Sequence, residues 1–595
     1  MGQTLRAGPF GPISPRTAER LLGENFGQTA ANVRLLSGDI RPIREPGLIT
    51  TAMANKKAVY RAEHASLDKW RGWTMDVDVA RLPLTEDVEP RYVWTGDGPP
   101  KITNFTNFDV PAADLLLGIP NPTGKPVVVA AGGAAATVSR VYVYTFFSQW
   151  GEESGPSPVS DLVSGKVDGT WTVSGMSAFP APIPAGSYNT TGMKRRLYRS
   201  VGTQATFQLV AEDVPTTYVD TIPDSQIPGD ELISAGWEPP PAGLFNIIAL
   251  PNGALAGLLG NLLCQSEPYQ FHAWPVEYQR GMNQTAVGLA AYGTTMVIGT
   301  TGAPYIGDGV EPASVTLERH DNIWPCLAKR SMISVGDGVV YATLSGLVYV
   351  GSAGPRVWTQ PFYTREEWIP LDPYTMVCAI AENKIFILYT AVGAPQSGML
   401  CFQPLEPLAA LTTLTLDCVE LYSDPRNGYL YVVDAEGVKQ YDSADGARLP
   451  FEWLSREFEL ATPCNFGAAR VEFVSEITAA DAAALIAAYA QAVLAMGPKI
   501  ANGVSAINGR FGGINTVTIN GYAPKLTDVL DAQKSVTFTL YSKGVMKFSK
   551  TLFEDTGVFR MPSGYLSDAW SFKVNGQVRI KNVKIAETPD GLRQI

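Results

Sequence analysis

The chain has 595 residues, 45% of them hydrophobic and 17% charged, with a formal net charge of −11. That length accommodates about three to five domains with large cores, and the composition excludes a disordered chain. The acidic balance argues against a protein that grips nucleic acid through a basic face, though not against a surface that DNA slides past.

The opening, Met1 to Phe10, carries no apolar run of the signal-peptide kind. The six cysteines (264, 326, 378, 401, 418 and 464) show no C-x-x-C spacing and sit mostly in apolar text, as reduced core residues made in a cytosol do. Pro9, Pro12 and Pro15 keep the start extended, and Thr17–Leu22 and Thr29–Leu36 then show helical spacing closed by Ser37-Gly38. Residues 1–50 therefore read as an N-terminal arm with a short helix, either a loose tail or an arm laid on a neighbouring subunit.

Residues 51–125 alternate in short strands around Ala58-Val59-Tyr60, Trp70 to Trp73 and Arg91-Tyr92-Val93-Trp94, the first part of a β platform domain. Residues 126–237 form a second β unit. Val138 to Phe147 alternates as a half-buried strand, runs into the polar turn Trp150-Gly-Glu-Glu-Ser-Gly-Pro156, and is followed by strand text at Arg195–Arg199, Phe207–Val210 and Thr217–Asp220. This text resembles a fibronectin III-like β-sandwich. Pro239-Pro240-Pro241 is a stiff linker.

From 242 to 450 one pattern recurs: an Asn- or Gly-bearing turn, a short apolar strand, a second Gly and another apolar strand. The turns fall at 253, 293, 338, 383 and 428, so the steps are 40, 45, 45 and 45. A period of about 40–45 residues carried by strand pairs is that of a propeller blade, whose apolar faces are buried by stacking. No Trp-Asp or kelch signature accompanies it. Residues 451–595 read as a C-terminal β domain, the second part of the platform, interrupted by a helix-hairpin insertion at 478–525. Thr478-Ala-Ala-Asp481 opens the helix as a capping box and Gly497-Pro498 stops it. That helix is apolar all round, so it must be buried. Its Ala content favours packing on protein, with membrane contact the minority reading. The predicted fold class is all-β and multidomain, with a β-propeller-like central domain, fibronectin III-like β-sandwich domains and one inserted helix.

Chemistry finds little foothold. The three histidines (64, 272 and 320) lie in different units, so a histidine metal site or a triad would need chance convergence. His272 reads as a ring packed between aromatics. Paired carboxylates for glycoside hydrolysis would have to come from Glu267, Asp308 and Glu311, but Asp308-Gly309 is turn text. Tryptophans 150, 171, 274 and 324 could stack sugars, yet each sits where core packing is the commoner use. No nucleotide fingerprint is present and no cofactor is implied.

Several passages, in order, are similar to one family. They are Arg34-Leu35 to Gly38 with Arg41-Pro42, then Arg196-Leu-Tyr-Arg-Ser200, Trp237-Glu-Pro-Pro-Pro241 and Leu250-Pro-Asn-Gly253. Ser266-Glu267-Pro268-Tyr269 follows with His272-Ala-Trp274-Pro275-Val-Glu-Tyr278, then Lys329-Arg330-Ser331, Gly338-Val-Val-Tyr341 before Gly346, Leu454-Ser-Arg456-Glu-Phe458, and Phe559-Arg560-Met-Pro-Ser-Gly-Tyr565. Together they resemble the tail nozzle proteins of short-tailed bacteriophages, also called tail tubular protein B. The 478–525 insertion is outside the pattern. The resemblance implies a structural virion protein of the tail, assembled in the host cytoplasm, with no enzymatic activity and no metal. It implies a homo-oligomeric ring, a hexamer, below the adaptor that hangs from the portal. Viral DNA would pass through its channel without sequence-specific binding, fibres or spikes would attach to its sides, and the N-terminal arm would dock on a neighbour or the adaptor. The alternative of another class is a receptor- or glycan-binding propeller adhesin, with a propeller glycosidase behind it.

Overall fold

The computed structural model describes residues 3–594 except 36, 85–87, 181–187, 203–205, 228, 353, 405–409, 475–485, 487–533 and 556. The chain is a multidomain all-β protein of many antiparallel sheets. It divides into two compact units, one made of residues 1–55, 344–348 and 357–595, the other of 56–343 and 349–356. The helix-hairpin expected at 478–525 lies, but for Ile486, outside the described residues.

In the unit built on 56–343, four-stranded sheets follow one another along the chain. The first contains Asp78–Arg81, Arg91–Thr95, Lys101–Asn104 and Leu115–Leu116. The second runs from Phe245–Ala249 through Leu255–Leu259 and Leu262–Gln265 to Arg280–Gly281. The third runs from Ala286–Tyr292 through Thr295–Thr300 and Tyr305–Asp308 to Thr316–Arg319. The middle sheet is buried on both faces. Leu255 and Cys264 join Ala80, Val93 and Ile102 in one core, while Ala256, Leu258 and Leu263 join Leu289, Met296 and Ile298 in another. A strand covered on both sides reads as a continuous apolar run, and that is why Leu262-Leu263-Cys264 does not alternate.

Between the first two sheets the chain makes a β-sandwich. Val127–Ala131, Thr170–Ser174 and Tyr218–Asp220 form one three-stranded sheet; Tyr142–Phe147, Lys194–Ser200 and Phe207–Glu212 form another. Trp171, Tyr144, Phe146 and Leu197 fill the space between them. This insertion separates residues 78–116 from the sheet they pack on, and so the sequence assigns them to a platform domain rather than to the stacked series.

The other unit contains a long sheet beginning with Val377–Ala381, Lys384–Tyr389, Gly398–Gln403 and Ala410–Leu414. Glu382 and Asn383 both adopt positive φ, 51° and 58°, in the tight turn between the first two strands, the geometry a two-residue hairpin with right-handed twist requires. Phe386, Leu388 and Met399 pack there against Leu421, Leu430 and Val432 of the next sheet, Glu420–Ser423, Leu430–Val433 and Val438–Gln440. The fourth strand of that sheet is Gly47–Thr50, from the start of the chain.

The N-terminal residues correct the sequence reading. No arm with a short helix stands off at 1–50: Gly27–Ala31 and Val33–Arg34 are strands, not a helical turn. Asn32 between them has φ 57°, which a right-handed helix does not admit. Thr4–Ala7 pairs with Arg579–Ala586, Gly27–Ala31 lies between Ala410–Leu414 and Phe451–Ser455, and Gly47–Thr50 pairs with Val438–Gln440. Four strand edges supply the partners that an extended backbone needs, and this outweighs the weak helical propensity of the Ala-bearing text.

Candidate functional site

Three passages quoted for the family resemblance meet in one place. The stretch Ser266–Tyr278 leaves its sheet as a tight loop, with the Glu267 N–H bonded to Ala273 O at 2.9 Å and Gln270 N–H to Glu267 O at 3.1 Å. Tyr269 packs so closely on Gly253 that a Cβ there would come within 2.5 Å of its ring, so the turn residue and the loop are built for each other. The loop carries His272 and Trp274 inward. Trp274 is enclosed, its indole N–H donating to Phe271 O at 2.9 Å and its backbone N–H to Glu238 O at 2.8 Å.

His272 is the hinge of the arrangement. Its ring meets Trp237 edge-on at 5.5 Å, and its Nε2 accepts the Glu153 N–H at 3.0 Å. An Nε2 that accepts carries no proton, and burial pushes the imidazole down to about 4, with the Arg91 charge acting in the same direction. Glu153 belongs to the sandwich. Its carboxylate is buried and accepts from Thr145 Oγ1 at 2.6 Å, Tyr198 Oη at 2.7 Å and Arg196 Nη1 at 3.0 Å. The Arg196–Ser200, Trp237–Pro241 and Ser266–Tyr278 passages are thus tied together through Glu153 and His272. In the sequence Glu153 reads only as part of a polar turn, because its burial depends on strands that lie far away along the chain.

Beside this junction is a cavity of about 430 Å³ lined by Trp237, Glu267, Pro268, Pro275, Glu277 and Tyr278 among others. Burial raises the Tyr278 phenol to about 12, helped by its hydrogen bond to Glu267 and by the charges of Glu267, Glu277 and Glu311. The site is an acid-rimmed cleft beside a hydrogen-bonded junction. Glu267, Pro268, His272, Trp274 and Pro275 come together here.

The remaining sequence-selected residues lie apart from it. Arg330 pairs with Asp76 at 3.3 Å, next to Lys329, which pairs with Asp76 at 3.0 Å and with Asp78. Gly346 has φ 129°, and a Cβ would approach Thr359 Oγ1 to 2.3 Å, where that hydroxyl accepts the Leu347 N–H at 3.0 Å. Arg456 donates to Leu22 O at 2.8 Å and lies 5.1 Å from the Phe458 ring. Arg560 is exposed on its strand opposite Ala468, and Tyr565 packs 5.8 Å from Trp570 with its phenol raised by burial. Asp308 accepts from the Gly309 N–H at 3.0 Å as a turn cap, and Glu311 precedes a 3-10 turn. Trp171 and Trp274 are enclosed. His64 packs on Phe105, and His320 stacks on Trp324. The six cysteines are free, and burial raises the thiols of Cys264 and Cys401 to about 11. Among the described residues no helix is long and apolar enough to cross a membrane.

No family model matches the chain and no curated protein matches it. Among solved structures it is similar to Kluyvelomyces marxianus Hsv2, with 8% identity, 48% of this chain and 71% of that one covered, and a TM-score of 0.22. It is similar to the N-terminal domain of Nup159, with 7% identity, 41% and 85% covered and a TM-score of 0.22. It is also similar to the extracellular domain of BT4673 from B. thetaiotaomicron, with 10% identity, 57% and 42% covered and a TM-score of 0.23. Scores this low carry no argument about function.

Proposed function

We propose that this chain is a structural subunit of a bacteriophage tail nozzle. Copies form a ring, a hexamer on the family resemblance, below the adaptor, make the channel through which the genome is retained and ejected, and support fibres. The observation that carries the reading is the junction of Glu153, His272, Trp237 and Trp274. The residues that bring the resemblance are spent on locking an inserted sandwich to a stacked sheet, a use that suits a rigid wall. The net charge of −11 suits a wall that DNA passes without sticking. Enclosure of Trp171 and Trp274 counts against the glycan-binding alternative, since a buried indole offers no face to a sugar.

Immunogold electron microscopy of particles from the source lysate tests the proposal. Gold at the tail tip is the expected result. Gold on radiating fibres, or unlabelled particles, overturns it.

A further inference from the structure

The cleft beside the Glu153–His272 junction holds polar groups of both signs that the fold itself does not match. Glu267 and Glu277 line it, and Glu311 is close enough for its charge to act on the same Tyr278 phenol. Among the described residues none of these three carboxylates has an ionic partner; that of Glu267 accepts the Tyr278 hydroxyl. Arg280, two residues beyond Tyr278, does not pair with them. Its guanidinium donates instead to the backbone carbonyls of Glu277, Gln279, Ala313 and Val315, at 2.5, 3.1, 2.6 and 2.8 Å.

The second unmatched group is a donor. Trp237 lines the same cleft and is only 8% exposed, yet its indole N–H bonds to no described residue. The indole N–H of Trp274, in the same junction, is satisfied by Phe271 O. A donor as enclosed as that of Trp237 calls for an acceptor from outside the chain. The rim adds apolar surface: Ile233, which lines the cleft, and Val276, between Pro275 and Glu277, are 66% and 63% exposed.

We infer that this cleft receives a lysine or arginine side chain carried on an apolar segment of a partner protein. The cation answers Glu267 and Glu277, a backbone carbonyl of the segment accepts the Trp237 N–H, and apolar neighbours cover Ile233 and Val276. A free polyamine offers the cation but no acceptor, and a neutral sugar offers acceptors but no cation. The volume of about 430 Å³ is in the range of small-ligand sites. The inference stands apart from the nozzle reading, and the two fail separately: gold at a tail tip says nothing of the cleft, and peptide binding says nothing of the tail.

The test is fluorescence anisotropy of a labelled pentapeptide, Gly-Ile-Arg-Ile-Gly, with the full chain at low salt. The wild-type chain binds it. The same peptide with citrulline for arginine, neutral but of the same shape, binds about tenfold more weakly or worse, the loss of charge-assisted contacts. Glu277→Gln, at an exposed position, weakens the arginine peptide by a similar factor, and so does Glu267→Gln, which keeps an acceptor for Tyr278. Trp237→Phe keeps a ring against His272 but removes the N–H, and weakens the peptide by about two- to tenfold. Glu318→Gln, exposed and outside the cleft, changes nothing. No binding by the wild-type chain, equal affinity for the arginine and citrulline peptides, or binding indifferent to Glu277→Gln overturns the inference. Spermidine that displaces the peptide and binds more tightly than it does would give the cleft to a free polyamine, and overturns it too.

Discussion

Among the described residues, two arginine clusters are built in opposite ways. In the sandwich core Arg140 and Arg199 are 2% and 0% exposed and face Asp220, also 0% exposed, and Asp224. Arg140 reaches Asp224 at 2.6 Å, Arg199 reaches Asp224 at 2.7 Å and also bonds Asp220, and Tyr142 Oη donates to Asp220 at 2.8 Å. Two cations meet two carboxylates, and Trp171 lies 4.7 Å from the Arg140 guanidinium. In the open cleft of Arg34, Arg41, Arg44, Arg448 and Arg579, Arg41 is exposed and stands opposite Arg34 and beside Arg579. Water explains the difference. A dry site cannot tolerate an unmatched charge, so every cation there must be matched by the fold itself. A wet site leaves an exposed cation to the solvent, and matching it within the fold gains little.

The largest effect is expected from breaking the match in the dry cluster. Asp220→Ala leaves Arg199 facing one carboxylate instead of two and strips Tyr142 of its acceptor. The cost is about 3–5 kcal/mol, the usual penalty for leaving a buried charge uncompensated. Hydrogen exchange of peptides from the sandwich strands is the suitable readout, since a chain of two units need not unfold in one step. Adding Arg199→Met to the same chain should recover part of the loss. If Asp220→Ala changes exchange by less than about 1 kcal/mol, the dry cluster behaves like a surface one and the contrast fails.

The second effect concerns the other way a dry site meets the same problem, by holding a base neutral. His272 has its pKa lowered from 6.5 to about 4 by burial. Above pH 6.5 both folded and unfolded chains carry it neutral, and its contribution is intact. As pH falls from 6.5 towards 4 the unfolded chain takes a proton that the folded chain refuses, and stability drains away, by about 3 kcal/mol once both states are protonated. His272→Gln keeps an acceptor for the Glu153 N–H and removes the titration. Its stability should therefore fall less steeply than the wild type's across that window, by exchange at the junction. Parallel pH profiles would show that His272 is not the group that responds.

Much of this was legible in the sequence, and the failures have physical causes. The turns at 253, 293, 338, 383 and 428 each fall just before, or at the first residue of, the second strand of an antiparallel strand pair. The local alternation of turn and apolar strand is enough to find them. The sheet of residues 78–116 escaped because the sandwich insertion breaks the period, and Gly47–Thr50 escaped because a strand that pairs with Val438–Gln440 leaves no local mark of its partner. His272 was readable as a ring among aromatics, and Trp237 is one of them. Glu153 was not, since a carboxylate in turn text looks solvated until distant strands close over it. The arginine cleft was invisible for the same reason: residues 34, 41, 44, 448 and 579 meet only through strand pairing across most of the chain.

The smallest effect has the opposite sign to the first, and it is the most direct test of the contrast. Arg41→Ala removes one of two like charges standing opposite each other, together with the crowding of Arg579. In the dry cluster losing a charge destabilises; here it should stabilise, by about 0.2–1 kcal/mol in thermal unfolding at low salt. Added salt should shrink the gain, because an exposed pair is screened within about a Debye length of 10 Å at 0.1 M. A gain from Arg41→Ala that is as large at high salt as at low would mean that the substitution relieves something other than the opposition of Arg34, Arg41 and Arg579, since repulsion between exposed charges cannot survive screening.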